Sequence, residues 1–287
     1  KFINMLYLIV SVLLFSYNNV LWKKNLQSVS VPFLITYRSF FTSTISLVLL
    51  IFFLKCKPLT IVDFTKITLG SLFGVIGLFS MLTVIKKSSL QWLGVYSLIG
   101  VVFTIIYLWI FESIEIKKAL YGLSIIVLGF VCFIYSNKES QLKMNFKQHA
   151  LLTTMAFSFS LSAILHWRNL KLDFSPLLII ANQEFFVFLI GFGVTLMQGK
   201  RELNKNLFKK YFKIVALMST VIFLALLFNF LGLKDTNPII TSVLFLSVPL
   251  TTIIFGAIFF KEKLSAKNLI FITIILIGAF ILNLQSN

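Results

Sequence analysis

The feature that most constrains this chain is a recurring length. Residues 2–22, 67–85, 88–111, 119–137, 214–233, 236–260 and 268–287 each run without one Asp, Glu, Lys or Arg. A helix rises about 1.5 Å per residue, so roughly 20 such residues cross the hydrocarbon of a bilayer. Three further stretches, residues 31–54, 150–165 and 175–197, are shorter or carry a charge and fill the gaps. The pattern predicts ten crossings, and hence an all-α, multi-pass integral membrane protein. Composition supports this where it bears on solubility: 12% of residues are charged, against about 25% in soluble domains. The first stretch is too long for the apolar core of a secretory leader and has no small-residue cleavage pattern, so it reads as a retained helix.

The formal net charge of +17 argues for membrane flanks and against a nucleic-acid partner, because the lysines sit in short segments between apolar runs. Cys56 and Cys132 lack disulfide or metal-site spacing. The two histidines, His149 and His166, stand in no D-x-x-D, H-x-x-x-D or H-E-x-x-H arrangement, and no Walker A sequence occurs. The reading is therefore of a non-enzyme without a cofactor and without its own ATP-driven motor. A channel would call for a continuous polar stripe along one helix, and none is found.

An internal repeat covers the chain. Lys24, Asn25, Leu26 and Pro32 correspond to Arg168, Asn169, Leu170 and Pro176; Lys66-Ile67 correspond to Lys213-Ile214; and Glu112 corresponds to Glu262. The offset drifts slowly upward, as a few loop insertions would produce. The expected division is residues 1–137 as one five-helix repeat, 138–147 as a connecting loop and 148–287 as the second repeat. Because five is odd, the second copy enters from the opposite face, which makes an inverted pair with a site near the midplane.

The segments SVPLTTIIFGAIFFKEKLSAKNLIFITIILIGAFI (residues 247–281) and SLIGVVFTIIYLWIFESIEIKKALYGLSIIVLGFV (residues 97–131), together with Arg38 in the second span, resemble the EamA-like, ten-helix branch of the drug/metabolite transporter superfamily. The repeats differ at one place, since Pro249 of the second corresponds to Ile99 of the first. The resemblance implies secondary transport of a small organic metabolite, an amino acid or related solute, commonly outward, by alternating access. It further implies residence in the bacterial inner (plasma) membrane with both termini cytoplasmic. Lys and Arg in the loops favour the opposite orientation by the positive-inside rule; the fold is given precedence here. The partners implied are a small-molecule substrate, the lipid bilayer and a coupling proton or counter-solute. The rival reading is a non-transporting membrane scaffold or lipid-handling protein.

Charge inside a span is costly, about 3 kcal/mol on insertion scales, so it marks function or a partner. Arg38 lies six residues past Pro32, and Glu184 eight past Pro176. Each is thus roughly 9–12 Å into its helix, measured from opposite faces. The expectation is that both serve the solute, with Arg38 holding a carboxylate and Glu184 meeting an amine or carrying a proton; the alternative is that each is a structural hydrogen-bonding group, or that the two pair with each other. Further solute-binding candidates are Asn18, Asn19 and Trp22 in the first span, Tyr96 and Ser97 in the fourth, His166 in the sixth, Asn182 and Gln183 in the seventh and Ser247 in the ninth. Pro249 bends the ninth span and is the gating candidate. Glu112 and Glu262 read as helix-end carboxylates balancing Lys117 and Lys263. Gly70, Gly74 and Gly77 read as sites of close helix packing within the chain, with a homodimer face as the lesser reading.

Overall fold

The computed structural model describes residues 2–53, 59–112, 120–136, 144–197, 205–234, 247–262 and 265–286. These form ten helices: α1 (Phe2–Asn25), α2 (Val31–Phe53), α3 (Ile61–Ile85), α4 (Leu90–Glu112), α5 (Leu120–Ser136), α6 (Phe146–Lys171), α7 (Pro176–Met197), α8 (Lys205–Lys234), α9 (Ser247–Phe260) and α10 (Ala266–Ser286). Seven, α1 to α4 and α6 to α8, are long and apolar enough to cross a membrane; the apolar segments Leu120–Ser136, Thr251–Phe260 and Ala266–Gly278 are shorter. The protein is a multi-pass membrane protein whose helices carry apolar side chains outward. Ile51 and Phe52 are 76% and 77% exposed, for example, as suits a surface solvated by lipid.

Several helices begin before their uncharged runs, because capping chemistry rather than hydropathy sets their first turns. At α3, Asp63 N–H donates to Thr60 Oγ1 and Thr60 N–H to Asp63 Oδ2, a reciprocal pair that satisfies two otherwise orphaned donors. Asn145 and Gln148 do the same at α6, both bonds at 2.9 Å. Ser265 Oγ caps α10 by accepting from Asn268 N–H. At the other end of α6, Asp173 takes a positive φ of 62°. Its N–H donates to Leu170 O while Phe174 N–H donates to Asn169 O, closing the helix with a Schellman-type turn.

The chain divides in space into two compact units, Lys1–Val75 with Ser162–Asp235, and Ile76–Leu161 with Thr236–Asn287. Each draws helices from both expected sequence repeats, and α3 and α6 contribute to both units. In the first unit α1 and α8 run antiparallel, with Tyr7 stacked on Phe228, Ser11 Oγ donating to Ala225 O and Asn25 Nδ2 directed at Met218 Sδ. There, too, α2 lies along α7, where Gly191 leaves no room for a side chain: a Cβ would come within 2.6 Å of Ile35 Cγ2 and 3.4 Å of Thr36 N. The glycines of α3 sit against α6, Gly70 facing His166, Gly74 facing Ser162 and Gly77 facing Phe159. The expected packing role of these glycines within the chain is thereby met.

In the second unit α5 and α10 run antiparallel, with Gly129 against Ile275 and Gly278 against the backbone of α5. Glu262 has a partner here that its sequence neighbours do not show: Oε1 accepts the N–H of Leu90, the first residue of α4, at 3.1 Å. A carboxylate at a helix N-terminus both takes an orphan donor and faces the positive end of the macrodipole. Glu262 N–H also closes α9 by donating to Gly256 O at 3.3 Å, after Lys261 turns the chain at a φ of 52°. Gly256 makes room for this, since a Cβ there would meet Glu262 Oε2 at 2.9 Å. One residue thus ties the end of α9 to the start of α4. Lys117 and Lys263 lie outside the described residues, as does the side chain of Glu112.

Glu262→Ala removes this cap and is expected to cost about 1 kcal/mol, read as a lower thermal midpoint of the purified protein. Glu262→Gln retains an oxygen acceptor and is expected to stay close to the parent in both midpoint and activity. A midpoint for Glu262→Ala equal to the parent's would contradict the capping role.

Candidate functional site

The polar interior of the first unit is built from α1, α2, α7 and α8, two helices from each expected repeat. Arg38 on α2 and Glu184 on α7 are 1% and 2% exposed, and Arg38 Nη2 donates to Glu184 Oε2 at 2.7 Å. The two charges foreseen as solute ligands therefore have each other as partners. The α2–α7 contact brings them into reach: Thr36 meets Thr195 at 3.2 Å and Phe40 packs on Phe188. Backbone around Arg38 is also engaged, since Arg38 O accepts from Thr42 Oγ1 at 2.9 Å and from Ser219 Oγ on α8 at 3.0 Å. The arginine is held between three helices.

Trp22 on α1 is fully buried, and the Arg38 guanidinium carbon lies 5.5 Å from its ring centroid. A desolvated cation over an indole face is favourable by about 2 kcal/mol. Near this contact several buried polar atoms have no hydrogen-bonding partner among the described residues. They include Arg38 Nε, Trp22 Nε1 and Asn18 Oδ1. Asn18 lies one helical turn before Trp22 and so shares its face of α1. Buried donors and acceptors are rarely left unmatched, and their grouping here makes this the strongest candidate for contact with a polar solute. Asn19, next on the helix, is half-buried.

A second polar group in the same unit surrounds His166, which is 1% exposed on α6 and meets Gln183 Oε1 through Nε2 at 3.1 Å. The neighbouring Asn182 takes Ser71 Oγ on α3 at 2.7 Å. Asn182 and Gln183 thus bind α7 to α3 and α6, and are largely engaged in doing so. Ser71 could not have been singled out by sequence, since its role appears only once α3 and α7 are adjacent.

The remaining candidates belong to the other unit. Tyr96 Oη and His149 Nδ1 are 2.6 Å apart, with Trp92 edge-on to the histidine ring at 5.4 Å. Ser97 donates to Leu93 O at 2.8 Å, a bond internal to its own helix. Tyr96 is thus committed to α6 through His149, a residue the metal-motif reading had passed over. Its partner was hidden because the two lie 53 positions apart. Ser247 and Pro249 fall within α9, and their side chains lie outside the described residues.

Among known proteins, a sequence model of the EamA-like transporter family matches residues 147–284. Comparison with curated proteins gives no match. A solved structure titled only "Crystal structure of protein" aligns with 100% of this chain and 98% of its own, at 14% identity and a TM-score of 0.72. At that identity it speaks for the fold alone.

Burial makes the Arg38–Glu184 pair sensitive to the loss of one member. Arg38→Ala and Glu184→Ala, each leaving an uncompensated charge, are expected to lose about 3–5 kcal/mol. Arg38→Met combined with Glu184→Leu is expected to lose less than either. Unfolding of the purified proteins measures this, and a double variant less stable than both single variants contradicts it.

Proposed function

Since residues 147–284 match a model of the EamA-like transporter family, we propose that the chain is a member of that family, within the drug/metabolite transporter superfamily, and a secondary transporter that moves a small organic solute, an amino acid or related metabolite, outward by alternating access. The observation that carries this reading is the Arg38–Glu184–Trp22 group: opposite charges and unmatched donors buried between spans. The pair alone would serve a scaffold as well, but the unmatched donors beside it favour a polar solute. A solute that bears a carboxylate and an amine fits there, because both of its charged ends meet a complementary group in a low-dielectric interior.

The inverted-repeat arrangement is part of the proposal and has support in the helix pairings. Exchanging the repeats turns the α1–α8 pair into the α6–α3 pair, and both pairs run antiparallel. The same exchange maps α2–α7 and α5–α10 each onto itself, as an in-plane two-fold relation requires. On this arrangement the solute group draws α1 and α2 from one repeat and α7 and α8 from the other. Rocking of one repeat against the other would then open it to each face in turn. Both termini are placed in the cytoplasm and Pro249 at the moving part of α9.

Proteoliposomes loaded with labelled amino acids are expected to release one or more of them when they contain the parent protein, and not when they contain Arg38→Ala reconstituted in equal amount. Equal release from both sets would overturn the assignment of Arg38. Pro249→Ala is expected to slow turnover several-fold while leaving solute affinity unchanged; unaltered turnover would reduce Pro249 to a packing role. A reporter fused after Asn287 is expected to be active in the cytoplasm, and activity only outside would reverse the orientation.

A further inference from the structure

The guanidinium of Arg38 offers Nε–H and a neighbouring Nη–H as a parallel fork, the geometry that grips a carboxylate at two points. Glu184 occupies only one tooth, at Nη2, and Nε has no partner among the described residues. The Nε1–H of Trp22, whose ring faces the same guanidinium, is likewise unmatched and fully buried. Two buried N–H donors thus lack a described partner, one on the cation and one on the ring beside it, and a second oxyanion, beyond the one that Glu184 supplies, would give them one.

Accepting it has an electrostatic consequence. A lone anion that draws Arg38 away leaves the Glu184 carboxylate buried without compensation, and a lone cation that draws Glu184 away does the same to Arg38. A solute carrying one charge of each sign leaves neither. We propose that the Arg38–Glu184 pair is a placeholder that opens only for such a solute, which makes Glu184 the residue that sets charge selectivity, while Trp22 supplies a second donor to the solute's negative group. In the empty protein the pair closes on itself; in the occupied protein the solute lies between its two members. This rests on the proposed solute site and adds to it a rule of selection.

The rule can be inverted by one substitution. Binding of glycine, acetate and ethylammonium to the purified full-length protein, followed by calorimetry or thermal shift, is expected to favour glycine over both monovalent ions. In Glu184→Gln the carboxylate that acetate must leave unpaired is gone, so acetate is expected to gain about tenfold or more relative to glycine. Trp22→Phe keeps the ring over Arg38 and removes only the N–H. It is expected to weaken glycine about tenfold without altering the order of the three probes, and it carries the test if Glu184→Gln does not fold. Glycine preferred to the same degree in the parent and in Glu184→Gln overturns the placeholder while leaving the transport reading intact, as does unchanged glycine affinity in Trp22→Phe. Failure of all three probes to bind the parent overturns both.

Discussion

A salt bridge with almost no access to solvent, between Arg38 of α2 and Glu184 of α7, is the interaction around which the first unit is arranged. Neither charge is tolerable alone at that burial, so α2 and α7 must lie close enough for a 2.7 Å bond. Gly191 permits the approach, because any side chain there would collide with Ile35. Ser219 on α8 and Trp22 on α1 then fix the arginine from two further sides. Four helices therefore converge on one arginine, α7 and α1 at its guanidinium and α8 at its backbone carbonyl.

Elsewhere the helices solve a different problem, that of placing hydroxyl groups where water is absent. Ser16, Ser46 and Thr195 each donate to a carbonyl four residues earlier in their own helix, which satisfies the hydroxyl locally. Ser11, Ser160 and Ser162 donate instead, or in addition, to a carbonyl of a neighbouring helix, and so join α1 to α8, α6 to α4 and α6 to α3. Such bonds are worth about 0.6 kcal/mol each in membrane proteins. They set register more than they supply stability.

Much of this could be read from the sequence. Uncharged length located seven of the ten helices, because the cost of an unpaired charge in hydrocarbon is large enough to be seen residue by residue, and the shorter or charge-bearing apolar stretches between them located the other three. Pro32 and Pro176, at the first turns of α2 and α7, allowed the depths of Arg38 and Glu184 to be compared, and those depths were close enough to predict that the two could meet a common partner. Whether that partner is a solute or each other was not legible, since the bond joins residues 146 positions apart and depends on how α2 leans on α7. Helix starts were misplaced where Thr60 with Asp63 and Asn145 with Gln148 form caps, a signal that lies in short polar motifs and not in hydropathy. Glu262 reads as a lysine partner because its sequence neighbours are lysines, and Lys263 lies outside the described residues. Its described partner, the N–H of Leu90, is 172 positions away. Local spacing reveals what a helix can bury; long-range packing decides what each buried group meets.

The most direct test exchanges the two charges, Arg38→Glu with Glu184→Arg, and measures both the stability and the solute efflux of the exchanged protein in proteoliposomes. If the pair serves the solute, the exchanged protein recovers the stability that either single change removes, since the ion pair is rebuilt, yet efflux stays absent. The solute's carboxylate then meets a carboxylate at position 38, and the donor of Trp22 faces the wrong charge. Near-parental efflux from the exchanged protein would show that Arg38 and Glu184 are a structural pair alone, with the solute bound elsewhere.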